Sequence, residues 1–120
     1  MFFSRESQSF QQVYFDESIK QPNDAKMTLQ EFKATLPQTA PPSGMSIFLE
    51  SLWYDAKGNW NKAHVLVQDE DGNDGAWIHA YLHRKEGDLS NAAYWYRKAN
   101  RSLPQTTLRQ EWEQIVIAFL

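Results

Sequence analysis

An all-α fold, two consecutive antiparallel helix hairpins flanked by an N-terminal segment and a C-terminal capping helix, is what this sequence predicts, and three observations carry it. Apolar residues after residue 45 recur at i, i+3, i+4 and i+7, the spacing of one helix face. Gly58 and Gly87 interrupt that pattern at equivalent places, 29 residues apart (87 minus 58). A stretch containing Pro37, Pro41, Pro42, Ser43 and Gly44 separates the periodic part from what precedes it, as a stiff linker would. The 120 residues suit a single domain.

Residues 1–44 read as an irregular N-terminal part with one short helix. Gln and Ser are scattered among Phe10, Val13, Tyr14, Phe15 and Ile19, a pattern that fits a short helix or a strand equally. A clearer helix is expected from about Asp24 to Leu36, with Leu29, Phe32 and Leu36 on one face and Pro37 stopping it.

Residues 45–72 and 73–101 form the two hairpins. At the 29-residue offset Asn59 falls on Asp88, Trp60 on Leu89, Ala63 on Ala92 and Val67 on Tyr96. Each unit therefore reads as an amphipathic helix, a Gly that ends it, a capping residue, and a second helix with a small Ala at the closest approach. Gly suits the reversal because a helix C-terminus that turns sharply needs a left-handed residue, where a Cβ is penalised. Asn59 and Asp88 can accept the orphan N–H groups of the following first turn. A short reversal between amphipathic helices yields an antiparallel pair.

The run Gly87, Asp88, Leu89, Ser90, Asn91, Ala92, Ala93, Tyr94, Trp95, Tyr96, Arg97, Lys98, Ala99 resembles the second half of a tetratricopeptide or Sel1-like repeat. That family places a small residue, an aromatic and an Ala at 5, 9 and 12 residues past the Gly, matched here by Ala92, Tyr96 and Ala99, and a Pro 17 past it, matched by Pro104. The resemblance is clearest over residues 76–104. It departs from the family in its 29-residue spacing, in the His79 and His83 that stand where Leu and Tyr are preferred, and in having only two hairpins, so that flanking helices must cap the core.

The closing helix, residues 106–120, supplies such a cap. Leu108, Trp112, Ile115, Val116 and Phe119 follow helical spacing, Thr107 and Gln110 make a capping box, and the apolar face is expected to cover the end of the second hairpin.

Composition excludes several function classes. There is no cysteine, so disulfides, thiolate catalysis and Cys-type zinc sites are absent, and the chain is compatible with a reducing cytoplasm. A net charge of -3 with 12 dispersed basic residues offers no footprint for a phosphate backbone, so nucleic acid is not an expected partner. No apolar run is long enough to span a bilayer, and no Lys/Arg-rich amphipathic segment marks a membrane surface. The chain reads as soluble and cytoplasmic, with no cofactor expected.

Candidate chemistry is sparse. His79 and His83 stand four apart on one expected helix, a spacing that lets two imidazoles meet one metal ion, and His64 would be a third ligand. The residues between are Ala80, Tyr81 and Leu82, so the His-Glu-x-x-His signature is missing, and packing or helix–helix hydrogen bonding is the favoured reading of the three imidazoles. The segment Asp69 to Gly75 alternates carboxylates like a calcium loop, but Asp74 and Ala80 occupy the places that require Gly and Glu. A polar connector, with Asp74 capping a helix that starts near Ala76, explains it better. Arg84, Lys85, Glu86 and Asp88 read as a solvated helix end with weak ion pairs. No phosphate loop, nucleophile elbow or Ser/His/Asp set appears, so an enzyme is not the favoured reading.

The aromatic surplus of Trp53, Trp60, Trp77, Tyr81, Tyr94, Trp95 and Tyr96 exceeds what two thin hairpins can bury. The resemblance implies that Trp77, Tyr81 and Arg84 line a groove of the peptide-binding kind, and aromatics and Arg are enriched at binding hot spots. The first functional reading is therefore a noncatalytic domain that binds a protein or peptide through those three residues. An enzyme or small-ligand or metal-binding protein using His64, His79 and His83 is the second. A structural protein that forms a homodimer through the aromatic face is the third.

Overall fold

Side-chain caps set where the helices begin. The computed structural model describes residues 26–120, and these form six helices: α1 (Leu29–Ala34), α2 (Ile47–Ala56), α3 (Trp60–Val67), α4 (Asn73–Glu86), α5 (Leu89–Lys98) and α6 (Leu108–Phe119). The readings placed on residues 1–25 lie outside the described residues. Thr28, Ser46, Asn59, Asp88 and Thr107 each accept a hydrogen bond from a first-turn backbone N–H of the helix that follows. Thr28 with Glu31, and Thr107 with Gln110, close reciprocal capping boxes. The first described helix is thus shorter than expected, beginning after Thr28 and ending at Ala34, before Pro37 is reached.

The two hairpins are α2–α3 and α4–α5, and each is tightly paired. Gly58 and Gly87 take positive φ values of 84° and 89°, so the helix ends reverse through a left-handed residue as the spacing predicts. Ala63 and Ala92 are buried at the close approach of each pair. One boundary differs from expectation. The cap of α4 is Gly72 rather than Asp74, and the helix starts at Asn73, which leaves Asp74 in the first turn, where a carboxylate favours the helix dipole. Gly75 in that turn passes so close to the preceding loop that a Cβ there would stand 2.9 Å from the Glu70 carbonyl oxygen.

Helix α6 lies across α2 and α4, the first helix of each hairpin, and also meets α1. It covers the second hairpin along α4, as expected of a cap, and reaches the first hairpin as well. Its Trp112 indole N–H donates to the Leu52 carbonyl oxygen of α2, and its Glu111 lies against α4, so the helix ties the two units together. The core between these layers contains Phe32, Leu52, Trp53, Ile78, Leu82, Ile115 and Val116. Each such burial contributes roughly 1.5–3 kcal/mol. This added layer also absorbs much of the aromatic surplus, burying Trp53, Trp77, Tyr81 and Tyr96, while Trp60 and Trp95 are half-buried and Tyr94 is exposed.

Two buried carboxylates knit the layers. Glu111 accepts hydrogen bonds from Tyr96 (2.8 and 2.7 Å), Arg84 (2.7 Å) and the Trp77 indole (3.3 Å). Asp55 accepts from Tyr81 at 3.0 Å and from Lys85 at 2.9 Å. Burial, and then the neighbouring carboxylate, pushes the Tyr81 and Tyr96 hydroxyls well above the usual tyrosine range, so both remain donors. The charged run at the end of α4 is therefore not merely a solvated helix end, because Arg84 and Lys85 each reach a fully buried carboxylate.

Candidate metal centre

Helices α3 and α5 each pack on α4, and their backbones do not approach each other closely. His79 and His83 stand one turn apart on α4 and are buried. His64 comes from α3, Trp60 stands one turn before it, and Trp95 and Asn91 come from α5. The cap at Asn59 sets the register of α3, and the Gly87–Asp88 reversal sets that of α5.

The three imidazoles converge. Nε2 of His64 and Nε2 of His79 are 2.8 Å apart, a hydrogen bond between α3 and α4. Ring centroids are separated by 4.6 Å for His64–His79, 4.8 Å for His79–His83 and 5.2 Å for His64–His83. One ligand nitrogen from each ring lies within 4.8 Å of the other two. The interhelical hydrogen bonding expected of these residues is present, and so is a convergence of three donors that spacing on one helix does not by itself provide.

Each ring is also held from behind. Nδ1 of His83 bonds the Glu86 carboxylate at 2.7 Å, which fixes the N–H on Nδ1 and leaves Nε2 as the lone-pair nitrogen. The Asn91 side-chain amide donates toward that Nε2 at 3.4 Å. His79 stacks on Trp95 with centroids 3.9 Å apart, and His64 stacks on Trp60 at 4.9 Å. The Trp60 indole is anchored by donating to the Leu82 carbonyl oxygen at 2.8 Å.

The electrostatics favour the neutral form of His79 and His64. Burial pushes the His79 imidazolium down to about 4, and the nearby His64 and His83 act in the same direction. Burial also lowers His64, followed by His83, while Glu86 opposes the shift. Neutral imidazole is the form that ligates a metal. A tetrahedral ion with metal–nitrogen bonds near 2.1 Å separates its ligand nitrogens by roughly 3.4 Å, so the His64–His79 pair need open by only about half an ångström to admit one.

The residues expected to line a partner-binding groove lie elsewhere. Trp77, Tyr81 and Arg84 share the α4 face turned toward Glu111 of α6 and Asp55 of α2. Trp77 and Tyr81 are buried, and Arg84 also donates to the Thr106 carbonyl oxygen. Glu86, Asn91, Trp60 and Trp95 were not singled out as site residues. The available signal was Glu86 at i+3 from His83, which places it on the same helix face.

No protein-family model matches the chain, and no curated protein or solved structure matches it either. Among the described residues, no helix is long and apolar enough to cross a membrane.

Proposed function

We propose that this chain binds one divalent transition-metal ion of the zinc type through His64, His79 and His83. The observation that carries the reading is the approach of three ligand nitrogens, from two helices, to within 4.8 Å of one another. Imidazole sets suit zinc, and the carboxylate on Nδ1 of His83 is the usual partner of a ligating histidine. Packing against Trp60 and Trp95 orients the His64 and His79 rings.

A peptide-binding role at Trp77, Tyr81 and Arg84 draws less support, since those side chains are engaged with Glu111 and Asp55 in the interior. The tetratricopeptide- or Sel1-like character rests on the pattern of Gly87, Asp88, Ala92, Tyr96 and Ala99.

The test is calorimetric titration of zinc into chelator-treated protein that carries no polyhistidine tag. One ion per chain is expected, with uptake strongly reduced in His64→Gln, whose half-buried position makes the variant safe for folding. Equal uptake by the wild type and His64→Gln, at unchanged helical content, would remove the proposal.

A further inference from the structure

A cavity of about 480 Å³ opens where the C-terminal ends of α1, α2 and α4 meet the N-terminal half of α6. That volume is in the range of small-molecule pockets, and the lining has the composition of one, with apolar surface from Leu36, Ala56 and Trp112 and charged groups set around it. Helix α4 reaches it through Tyr81 and Lys85, and none of the three histidines lines it. The cavity is thus separate from the candidate metal centre.

The charge balance selects the ligand. Lys33, Lys85 and Arg109 face two carboxylates, Asp55 and Glu113, which leaves one positive charge in excess in a chain whose net charge is -3. Asp55 is buried at the back, and each of its oxygens already accepts from a donor, Lys85 at 2.9 Å and the Tyr81 hydroxyl at 3.0 Å. A cationic ligand therefore finds its counter-charge taken. Nearer the solvent, Lys33 and Arg109 share the single carboxylate of Glu113, Arg109 only at 4.0 Å. Among the described residues the Lys85 ammonium donates to Asp55 and the Lys33 ammonium to Glu113, so each keeps two of its three hydrogens for an incoming acceptor. We propose that this cavity binds a small organic monoanion, a carboxylate with a compact apolar body. The body lies against Trp112, Leu36 and Ala56, and the carboxylate takes charge-assisted hydrogen bonds from Lys33, Lys85 and Arg109.

The test follows backbone and indole N–H resonances of the full-length chain during titration with sodium benzoate, with benzamide and with benzylammonium chloride, three probes of similar shape and different charge. Saturable shifts at Leu36, Ala56 and Trp112 are expected with benzoate, roughly tenfold weaker binding with benzamide, and none there with benzylammonium. The double variant Lys33→Gln, Arg109→Gln leaves the Asp55–Lys85 pair in place and should bind benzoate roughly tenfold more weakly at unchanged helical content. Ala56→Phe, at an exposed position, should fill the cavity and abolish the shifts without unfolding the chain. Benzoate that moves no resonance at the cavity, or that binds Ala56→Phe as it binds the wild type, overturns the site. Benzamide or benzylammonium bound as tightly as benzoate, or an affinity unaltered in the double variant, overturns its assignment to an anion.

Discussion

His64 and His79 meet Nε2 to Nε2 at 2.8 Å across the boundary between the first hairpin and the second. The contact makes the joint between the units and the candidate metal centre one and the same place. An ion bound there would pin α3 to α4.

Zinc should therefore raise the stability of the whole domain. A ligand that binds only the folded state at a hundred times its dissociation constant adds about 2.7 kcal/mol, which for a domain of this size is a rise of roughly 10 °C or more in Tm. Differential scanning calorimetry with and without zinc measures it, and excess chelator should reverse the rise. A transition temperature indifferent to zinc would count against the site.

Glu86 is exposed, so its replacement should leave the metal-free protein nearly as stable as before. The Glu86→Gln variant should nevertheless bind zinc about 10- to 100-fold more weakly, because the carboxylate that sets the His83 tautomer and strengthens its basicity is gone. Competition with a chromophoric chelator gives the ratio, and an affinity equal to wild type would separate Glu86 from the site.

The metal-free protein should lose stability on the acid side of neutrality. His79 is held at about 4 when folded, against an ordinary value near 6.5. The unfolded chain then binds more protons between those values, so stability is full above about pH 6.5 and declines as the pH falls toward 4. His79 alone contributes a slope of at most about 1.4 kcal/mol per pH unit, and the lowered His64 adds to it in the same direction. Urea denaturation at a series of pH values should show the decline, and His79→Gln should flatten it.

Glu111 should be the costliest single site outside the core. It is buried and receives Tyr96, Arg84 and the Trp77 indole. Glu111→Ala leaves the Arg84 guanidinium and two other donors without their acceptor, and a loss of about 3–5 kcal/mol follows from breaking one side of a buried pair. The denaturant midpoint reads this directly. A change below about 1 kcal/mol would mean that water or backbone replaces the carboxylate without penalty.

Much of the fold was legible because its signals are local. Gly58 and Gly87 end helices through left-handed backbone, Asn59 and Asp88 cap the helices that follow, and Thr107 with Gln110 opens α6. Each effect acts within a few residues, so the sequence carries it whole. The boundary at Gly72 was missed because Asp74 is an equally good cap by residue type, and what separates the two is the path of the loop past Glu70.

The order of the helices, their reversals and the three histidines as candidates were already set by local residue patterns. Those patterns could not determine which way α4 faces. Trp77, Tyr81 and Arg84 share the spacing i, i+4, i+7, and so do His79, His83 and Glu86 two residues later, about 200° around the helix. Residues 75–83 are all buried, so no polar stripe distinguishes one side of α4 from the other. Only the packing of α6 over α2 and α4 turned the aromatic triple inward, and only the seating of α3 and α5 on the opposite side brought His64 to His79 and His83. Periodicity reports that a face is covered. The partner that covers it is a long-range choice, made by the fit of whole helices.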